Sequence, residues 1–402
     1  MPHAHHPAPT LSRRTLLAGA GAALAAGGCA GTPSAPPVAG LPWERAGVAG
    51  AWPPRPTLIA HRGASALRPE HTLAAYRQAI ADGADCIEPD LVPTRDGVLV
   101  ARHENAIAIL NADGSVKEAT TDVADRPAFA ARRTTKTIDG APVTGWFTED
   151  FTLAELKTLR ARERIPAQRP ANRRFDGQFE IPTLQEIVDL ARTESQARGR
   201  TIGVYPETKH PTYFQSIGLA LEPRLVALLD RNGLNHRDAP VFVQSFEVGN
   251  LQRLRGMTAV RLVQLVGASG RPYDFVAQGA AETRRYADLV TAEGLRAVRR
   301  YADAVGPYKT LVAPVQGGAV GAPTRLVADA HDAGLAVHIW TLRPENAFLP
   351  AAYKRAPVDD GAARGDSAGE IAAYLRAGID GFFTDDPAVG RAAIDATGRT
   401  GR

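Results

Sequence analysis

The sequence predicts an α/β protein, a closed (β/α)₈ TIM barrel with one long insertion after its second strand. Two observations carry that prediction. Short apolar runs alternate with amphipathic stretches from Thr57 onward, the pattern of βαβ units on a parallel sheet. Polar, chemically capable residues then end those runs, at the face where such a barrel builds its site. An open doubly wound sheet is the alternative arrangement of the same elements. A chain of 402 residues accommodates one barrel with insertions, and 44% hydrophobic against 22% charged residues is a globular composition. The net charge of +4 comes from scattered arginines rather than a basic run, which excludes a nucleic-acid partner and suits a small anionic substrate.

Residues 1–30 read as an export signal. Ser12-Arg13-Arg14 precede Leu16 and Leu17 and a small apolar run too short to span a bilayer. The arginine pair resembles a twin-arginine signal, which implies the export machinery that carries folded proteins; an ordinary secretory signal is the alternative. Cys29 follows Gly27-Gly28 as at a lipoprotein cleavage site, with Ala26 where Leu is usual, so a lipid on Cys29 stays open as the only membrane attachment. His3, His5 and His6 precede the signal and leave with it. Residues 31–56, rich in Pro, Gly and Ala, read as a tether with Trp43 and Trp52 as anchors. The barrel is expected over 57–397. Cys86, the other cysteine, falls inside a strand and reads as a small buried apolar residue rather than half of a disulfide.

The strands are predicted at 57–61, 85–92, 201–207, 241–245, 260–266, 310–315, 336–342 and 381–386. Helical patterns lie between them at 69–84, 181–197, 222–233, 323–334 and 367–378, several of them ending in Gly. From Glu104 to Phe179 no strand–helix unit fits; turn residues and basic residues crowd there around TLAELKTLR, as expected of an insertion that caps a site. A smaller insertion runs from about Arg343 to Asp366.

The ends of the strands carry the chemistry. Strand one ends in His61-Arg62-Gly63, strand two in Glu88 and Asp90, strand three in Glu207 and Lys209, strand four in Gln244, strand seven in Trp340, strand eight in Asp385. Glu88 and Asp90 are two residues apart, so they share one face of a strand, about 7 Å apart at ~3.3 Å per residue. Three converging carboxylates repel one another unless a hard cation sits among them, and the all-oxygen set favours Ca²⁺ or Mg²⁺ over zinc. The structural alternative is ion pairing of Glu88, Asp90 and Glu207 with Arg62 and Lys209.

His61 and His103 are the proton-transfer candidates, imidazole being the side chain matched to neutral pH. The alternative for His103 is a surface hairpin residue after the Asp96-Gly97 turn, and for His61 a loop residue. Arg62 and Lys209 suit phosphate oxygens. Cation, basic side chains and two histidines together are equipment for phosphoryl transfer. Asp385 and Asp386 are expected to cap the last helix ahead of Pro387.

Six segments, HRGASALRPEHT (61–72), IEPDLVPTRDGVLVARHE (87–104), PETK (206–209), QSF (244–246), IWT (339–341) and GFFTDDP (381–387), together resemble the glycerophosphodiester phosphodiesterase family. TDVADR (121–126) and TEDFTLAELKTLRARE (148–163) resemble the insertion of its periplasmic subgroup, which cleaves deacylated phospholipids. The resemblance implies one Ca²⁺ or Mg²⁺ held by Glu88, Asp90 and Glu207, with His61 and His103 as the acid/base pair. It also implies a substrate site of Arg62, Lys209, Trp340 and Glu70, the last orienting its neighbours. The substrate is then a glycerophosphodiester, and the products are sn-glycerol 3-phosphate and an alcohol. The family usually follows the second histidine with Asp; here Glu104 stands there. Two rivals are a phospholipase of C or D type acting on intact lipids, against which the polar, basic insertion speaks, and a phosphodiester-binding lipoprotein, which has no use for two histidines.

Overall fold

The computed structural model describes residues 52–398. The expected export signal at 1–30, Cys29 and most of the expected tether, Trp43 included, lie outside the described residues.

The parallel strands are β1 (Thr57–His61), β2 (Cys86–Glu88, resuming as Asp90–Pro93), β3 (Gly203–Val204, resuming as Glu207–Thr208), β4 (Phe242–Ser245), β5 (Arg261–Val266), β6 (Ala304–Pro307), β7 (Ala336–Leu342) and β8 (Gly381–Thr384). Pairing runs from β1 through each strand in turn to β8 and returns from β8 to β1, so the sheet closes. Pro89 and Pro206 interrupt β2 and β3 because proline has no N–H to give the ladder. Their carbonyls still accept, from Glu207 N at 2.9 Å and Gln244 N at 2.9 Å, and so keep the staves in register across the breaks. That register sets His61 beside Glu88, Asp90 beside Glu207, and Glu207 beside Gln244.

Successive strand residues face opposite ways. Leu58, Ala60 and Ile87 point outward to the helices, whereas Ile59, Cys86, Tyr205, Phe242, Val263, Ala304 and Phe383 form an inner cluster that floors the barrel. Tyr205 stacks on Phe242 at 4.8 Å and meets Phe383 edge-on at 5.1 Å. Cys86 is fully buried there, and Trp52 closes the floor from below against Phe242 at 5.5 Å. The expected helices are present: Leu73–Ala81 capped by Thr72, Leu184–Arg198 with a Thr183/Glu186 capping box and Gly199 at its end, and Leu221–Arg231, Leu326–Asp332 and Ser367–Arg376.

The sixth strand differs from expectation. It is Ala304–Pro307, not 310–315; Lys309–Val312 is instead a short helix. Gly and Pro dilute the strand signal of AVGP, but the glycine is required, since a Cβ on Gly306 would come within 2.7 Å of Leu265 inside the barrel.

The insertion holds a four-stranded antiparallel sheet in the order Val116–Ala119, Ala106–Leu110, Ala141–Phe147, Thr134–Ile138. Asp139 (φ 47°) and Gly140 (φ 80°) turn the last hairpin with both central residues left-handed, the geometry an Asp-Gly pair favours. The hairpin signalled by Asp96-Gly97 is also present. Leu99–Ala101 pairs antiparallel with Asp90–Pro93, and that return carries His103 back to the barrel mouth.

Candidate active site

The face parity that fills the floor also builds the mouth. Two residues beyond Ile59, Cys86, Tyr205, Phe242, Val263 and Phe383 stand His61, Glu88, Glu207, Gln244, Leu265 and Asp385. All but Asp385 line one cavity of about 430 Å³, together with Arg62, His103, Lys209, Phe246 and Trp340. The loops over it contribute Arg164 and Ile165 from the first insertion, and Arg343 and Phe348 from the second.

Glu88, Asp90 and Glu207 are buried, at 1%, 1% and 7% exposure, and each can offer an oxygen such that all three oxygens lie within 4.8 Å of one another. Asp90 accepts from His71 Nε2 at 2.9 Å and pairs with Arg62 Nε at 3.2 Å; Glu207 pairs with Lys209 at 3.0 Å. Among the described residues, Glu88 has only the neutral donors Arg62 N (2.8 Å) and Gln244 Nε2 (3.1 Å). The ion-pair alternative therefore accounts for two of the three carboxylates. Burial, then Asp90 and Glu207, push the Glu88 carboxyl well above its usual range. Burial raises Glu207 to about 7 against the pull of Lys209. Asp90, despite its burial, is held well below by the His71 hydrogen bond and the Arg62 and Lys209 charges. Gln244 Oε1, buried beside Glu88, has no hydrogen-bond partner among the described residues. Three clustered carboxylates, one uncompensated, with a spare amide oxygen nearby, fit a hard divalent cation.

Both histidines line the cavity and each rests on a carboxylate. His61 Nδ1 meets Asp385 Oδ1 at 2.6 Å, and His103 Nδ1 meets Glu104 Oε1 at 2.9 Å. Asp385 corrects an expectation: only Asp386 caps the last helix, accepting from Val389 N at 3.2 Å. Asp385 turns inward, ion-paired with Arg169 and with Arg343 at 3.1 Å, and although burial opposes it, these cations keep it well below the usual carboxylate range. Glu104 is likewise held low, by His103 and His210 against its burial. Ionised acceptors require Nδ1–H on both imidazoles, which leaves Nε2 for chemistry. Burial and the Arg62 charge lower His61 to about 4; burial, Arg62 and Lys209 lower His103 to about 3. Both rings are thus neutral near pH 7.

Glu70 is not among the cavity-lining residues. It lies behind them, accepting from Arg62 Nη1 and Arg164 Nε at 3.0 Å each, a position from which it orients two guanidiniums. Arg62 (φ 61°) and His71 (φ 55°) hold left-handed backbone that non-glycine residues rarely adopt, a mark of over-determined functional geometry. Trp340 lines the cavity as expected, its indole N–H on Gly306 O at 2.8 Å and its ring wedged edge-on between Phe246 (5.4 Å) and Tyr308 (5.0 Å).

Sequence reasoning missed Asp385 as the His61 partner, His71, and the loop arginines Arg164, Arg169 and Arg343. Asp385 had a signal, its position two residues after the inward Phe383. The loop arginines had none, because irregular backbone carries no period that fixes direction.

Comparison with known proteins gives a consistent result. The sequence profile described as "Glycerophosphoryl diester phosphodiesterase family" matches residues 61–389. A glycerophosphodiester phosphodiesterase of Arabidopsis thaliana, GDPD6, is 33% identical over 344 residues, 82% of this chain and 84% of the relative. A glycerophosphodiester phosphodiesterase of Treponema pallidum is 28% identical over 306 residues, 72% of this chain and 81% of that one. The crystal structure of a putative glycerophosphoryl diester phosphodiesterase from Silicibacter pomeroyi superposes with TM-score 0.56 at 20% identity, covering 87% of this chain and 96% of the other. An Oleispira antarctica phosphodiesterase, solved in complex with the product sn-glycerol-3-phosphate, superposes with TM-score 0.50 at 18% identity over 85% of this chain and 97% of that one.

Proposed function

We propose, since this chain belongs to the glycerophosphoryl diester phosphodiesterase family, that it splits glycerophosphodiesters into sn-glycerol 3-phosphate and a free alcohol by histidine acid/base catalysis around a carboxylate-held divalent cation. Hydrolysis of glycerophosphodiesters is the activity this chain shares with its relatives; the metal dependence, the residue roles and the products are the proposal. One observation carries it: Glu88 and Glu207 line the same cavity as both carboxylate-held histidines, and Asp90 clusters with those two carboxylates.

Glu88, Asp90 and Glu207 would hold Ca²⁺ or Mg²⁺, which when bound supplies Lewis acidity to the phosphoryl oxygens. Arg62, fixed by Glu70, and Lys209, fixed by Glu207, bind the anionic oxygens of the diester and neutralise charge that builds in the transition state. His61 Nε2 takes a proton from the attacking hydroxyl, either water or the glycerol 2-hydroxyl. His103 Nε2 returns a proton to the departing alcohol as the phosphorus–oxygen bond breaks. His103, neutral in the free protein, takes that Nε2 proton from solvent as the substrate binds, the bound anion and Glu104 favouring the imidazolium. If the 2-hydroxyl attacks, the cyclic phosphate is opened by water with the two histidines exchanging roles.

We further infer from residues 12–31 that the chain is exported by the twin-arginine route and meets its substrate outside the cytoplasm, with a lipid on Cys29 as a further attachment to test by mass spectrometry of the processed chain.

The deciding assay incubates purified protein with glycerophosphoglycerol or glycerophosphocholine and measures sn-glycerol 3-phosphate. Release that stops with EDTA and returns with added Ca²⁺ or Mg²⁺ is expected. Release indifferent to chelation, or silence with both cations present, contradicts the proposal.

A further inference from the structure

His210 follows Lys209 and takes no part in the chemistry above. We propose that it is a positioning residue: the line Asp139–His210–Glu104–His103 ties the turn of the insertion's last hairpin to a proton-transferring imidazole and fixes where that imidazole points. The inference rests on the role of His103 given under the proposed function.

The line is continuous. His210 Nδ1 donates to Asp139 Oδ2 at 2.6 Å and His210 Nε2 to Glu104 Oε2 at 2.7 Å, while Glu104 Oε1 accepts from His103 Nδ1 at 2.9 Å. One carboxylate thus serves two histidines, one oxygen each. His210 is the charged member. Burial alone would lower it, but the two carboxylates push it up to about 9, so it stands as an imidazolium between two anions. His210 adopts φ 46°, a left-handed conformation that a histidine keeps only where its surroundings over-determine it. Here the two short hydrogen bonds, one from the barrel side and one from the insertion, do so.

Glu104 needs such a brace. A glutamate has one more rotatable bond than an aspartate, hence more freedom to lose on being fixed. Its charge also feels Lys209, which offers an alternative partner inside the cavity. A cation on the far oxygen holds the carboxylate so that its near oxygen faces His103. The insertion then does more than cover the cavity: its hairpin turn supplies Asp139, the last anchor of the line.

Two substitutions and their combination test this on the full chain. His210→Gln should lower kcat roughly 10–100-fold, and Asp139→Asn, at a partly exposed turn away from the cavity, by several-fold to roughly 10-fold, the range for small misplacements of a reacting group. KM, divalent-cation affinity by calorimetry and melting temperature should stay near wild type. The double variant should be no slower than His210→Gln alone, because both changes cut one line. Asp139→Glu, which keeps the anion, should recover more activity than Asp139→Asn. With ¹⁵N-histidine labelling, the His103 ring signals should move from one fixed tautomer to a mixture in His210→Gln. Wild-type kcat in Asp139→Asn and His210→Gln, or losses that multiply in the double variant, overturn the proposal. If His210→Gln fails to fold, Asp139→Asn and the NMR signals of His103 decide. A His103→Ala variant separates the two levels: if it retains turnover, the role of His103 is wrong; if it is inactive while both other variants are normal, only the positioning line fails.

Discussion

At the floor of the barrel Ile59, Cys86, Tyr205, Phe242, Val263 and Phe383 meet as a buried apolar cluster; two residues further along the same strands stand His61, Glu88, Glu207, Gln244, Leu265 and Asp385. The backbone arrangement is the same at both levels. At the floor, aromatic contacts and apolar burial hold the strands together. At the mouth, buried ionic groups must each find a partner, and the partners come from loops: Arg169 and Arg343 on Asp385, Arg164 on Glu70. The floor can thus pay for a mouth that is electrostatically costly. The difference teaches that stability and chemistry are separated along the strand axis, so substitutions at the two levels should damage different quantities.

His61→Ala breaks the mouth alone. Its kcat should fall by about 10²–10⁴-fold, the contribution of a positioned acid or base, while urea midpoint and cation binding stay close to wild type. Phe242→Ala breaks the floor alone: about 3–5 kcal/mol of unfolding free energy should go, with the kcat of the remaining folded molecules preserved. Loss of activity without loss of stability in Phe242→Ala would erase the distinction. Asp385→Asn sharpens it from within the mouth, since the geometry survives but the asparagine no longer dictates the His61 tautomer. A drop of on the order of 10²-fold in kcat with little change in KM is expected, read in a steady-state assay.

The smallest effect is one the two levels share. His61 at the mouth and His338 beside the floor are both lowered to about 4, by burial first, and His103 to about 3. In the unfolded chain these groups titrate near 6.5. Between 6.5 and about 4 the unfolded state therefore binds more protons at these three rings, and their contribution to stability falls as pH falls through that window. Glu207, raised to about 7, contributes with the opposite sign. The effect of the His338 ring is therefore read as the difference between wild type and His338→Gln in urea titrations from pH 7 to 4.5: wild type should lose more stability than the variant as pH falls, and equal losses would contradict the burial of a neutral ring.

Much of this was legible in the sequence, and the reason is periodicity. Strand parity aligns Glu88 with Asp90 and Glu207 with Lys209, and the closed barrel then brings these residues together with His61. Where period fails, so did the reading. The strand AVGP at 304–307 carries too few apolar residues to outweigh TLVAPV beside it, and the Asp-Asp-Pro sequence does not say which aspartate faces in and which caps the helix. The insertion's antiparallel sheet went unseen behind its polar composition, and with it the hairpin turn that places Asp139 against His210.

The central claim is that three buried carboxylates gather because they hold one doubly charged ion. Isothermal titration of the purified, EDTA-stripped chain with Ca²⁺ and with Mg²⁺ tests it most directly. The account predicts one ion per chain, with binding abolished in a folded Glu88→Gln/Glu207→Gln variant. No heat of binding for either ion, or uptake that survives both substitutions, would contradict it.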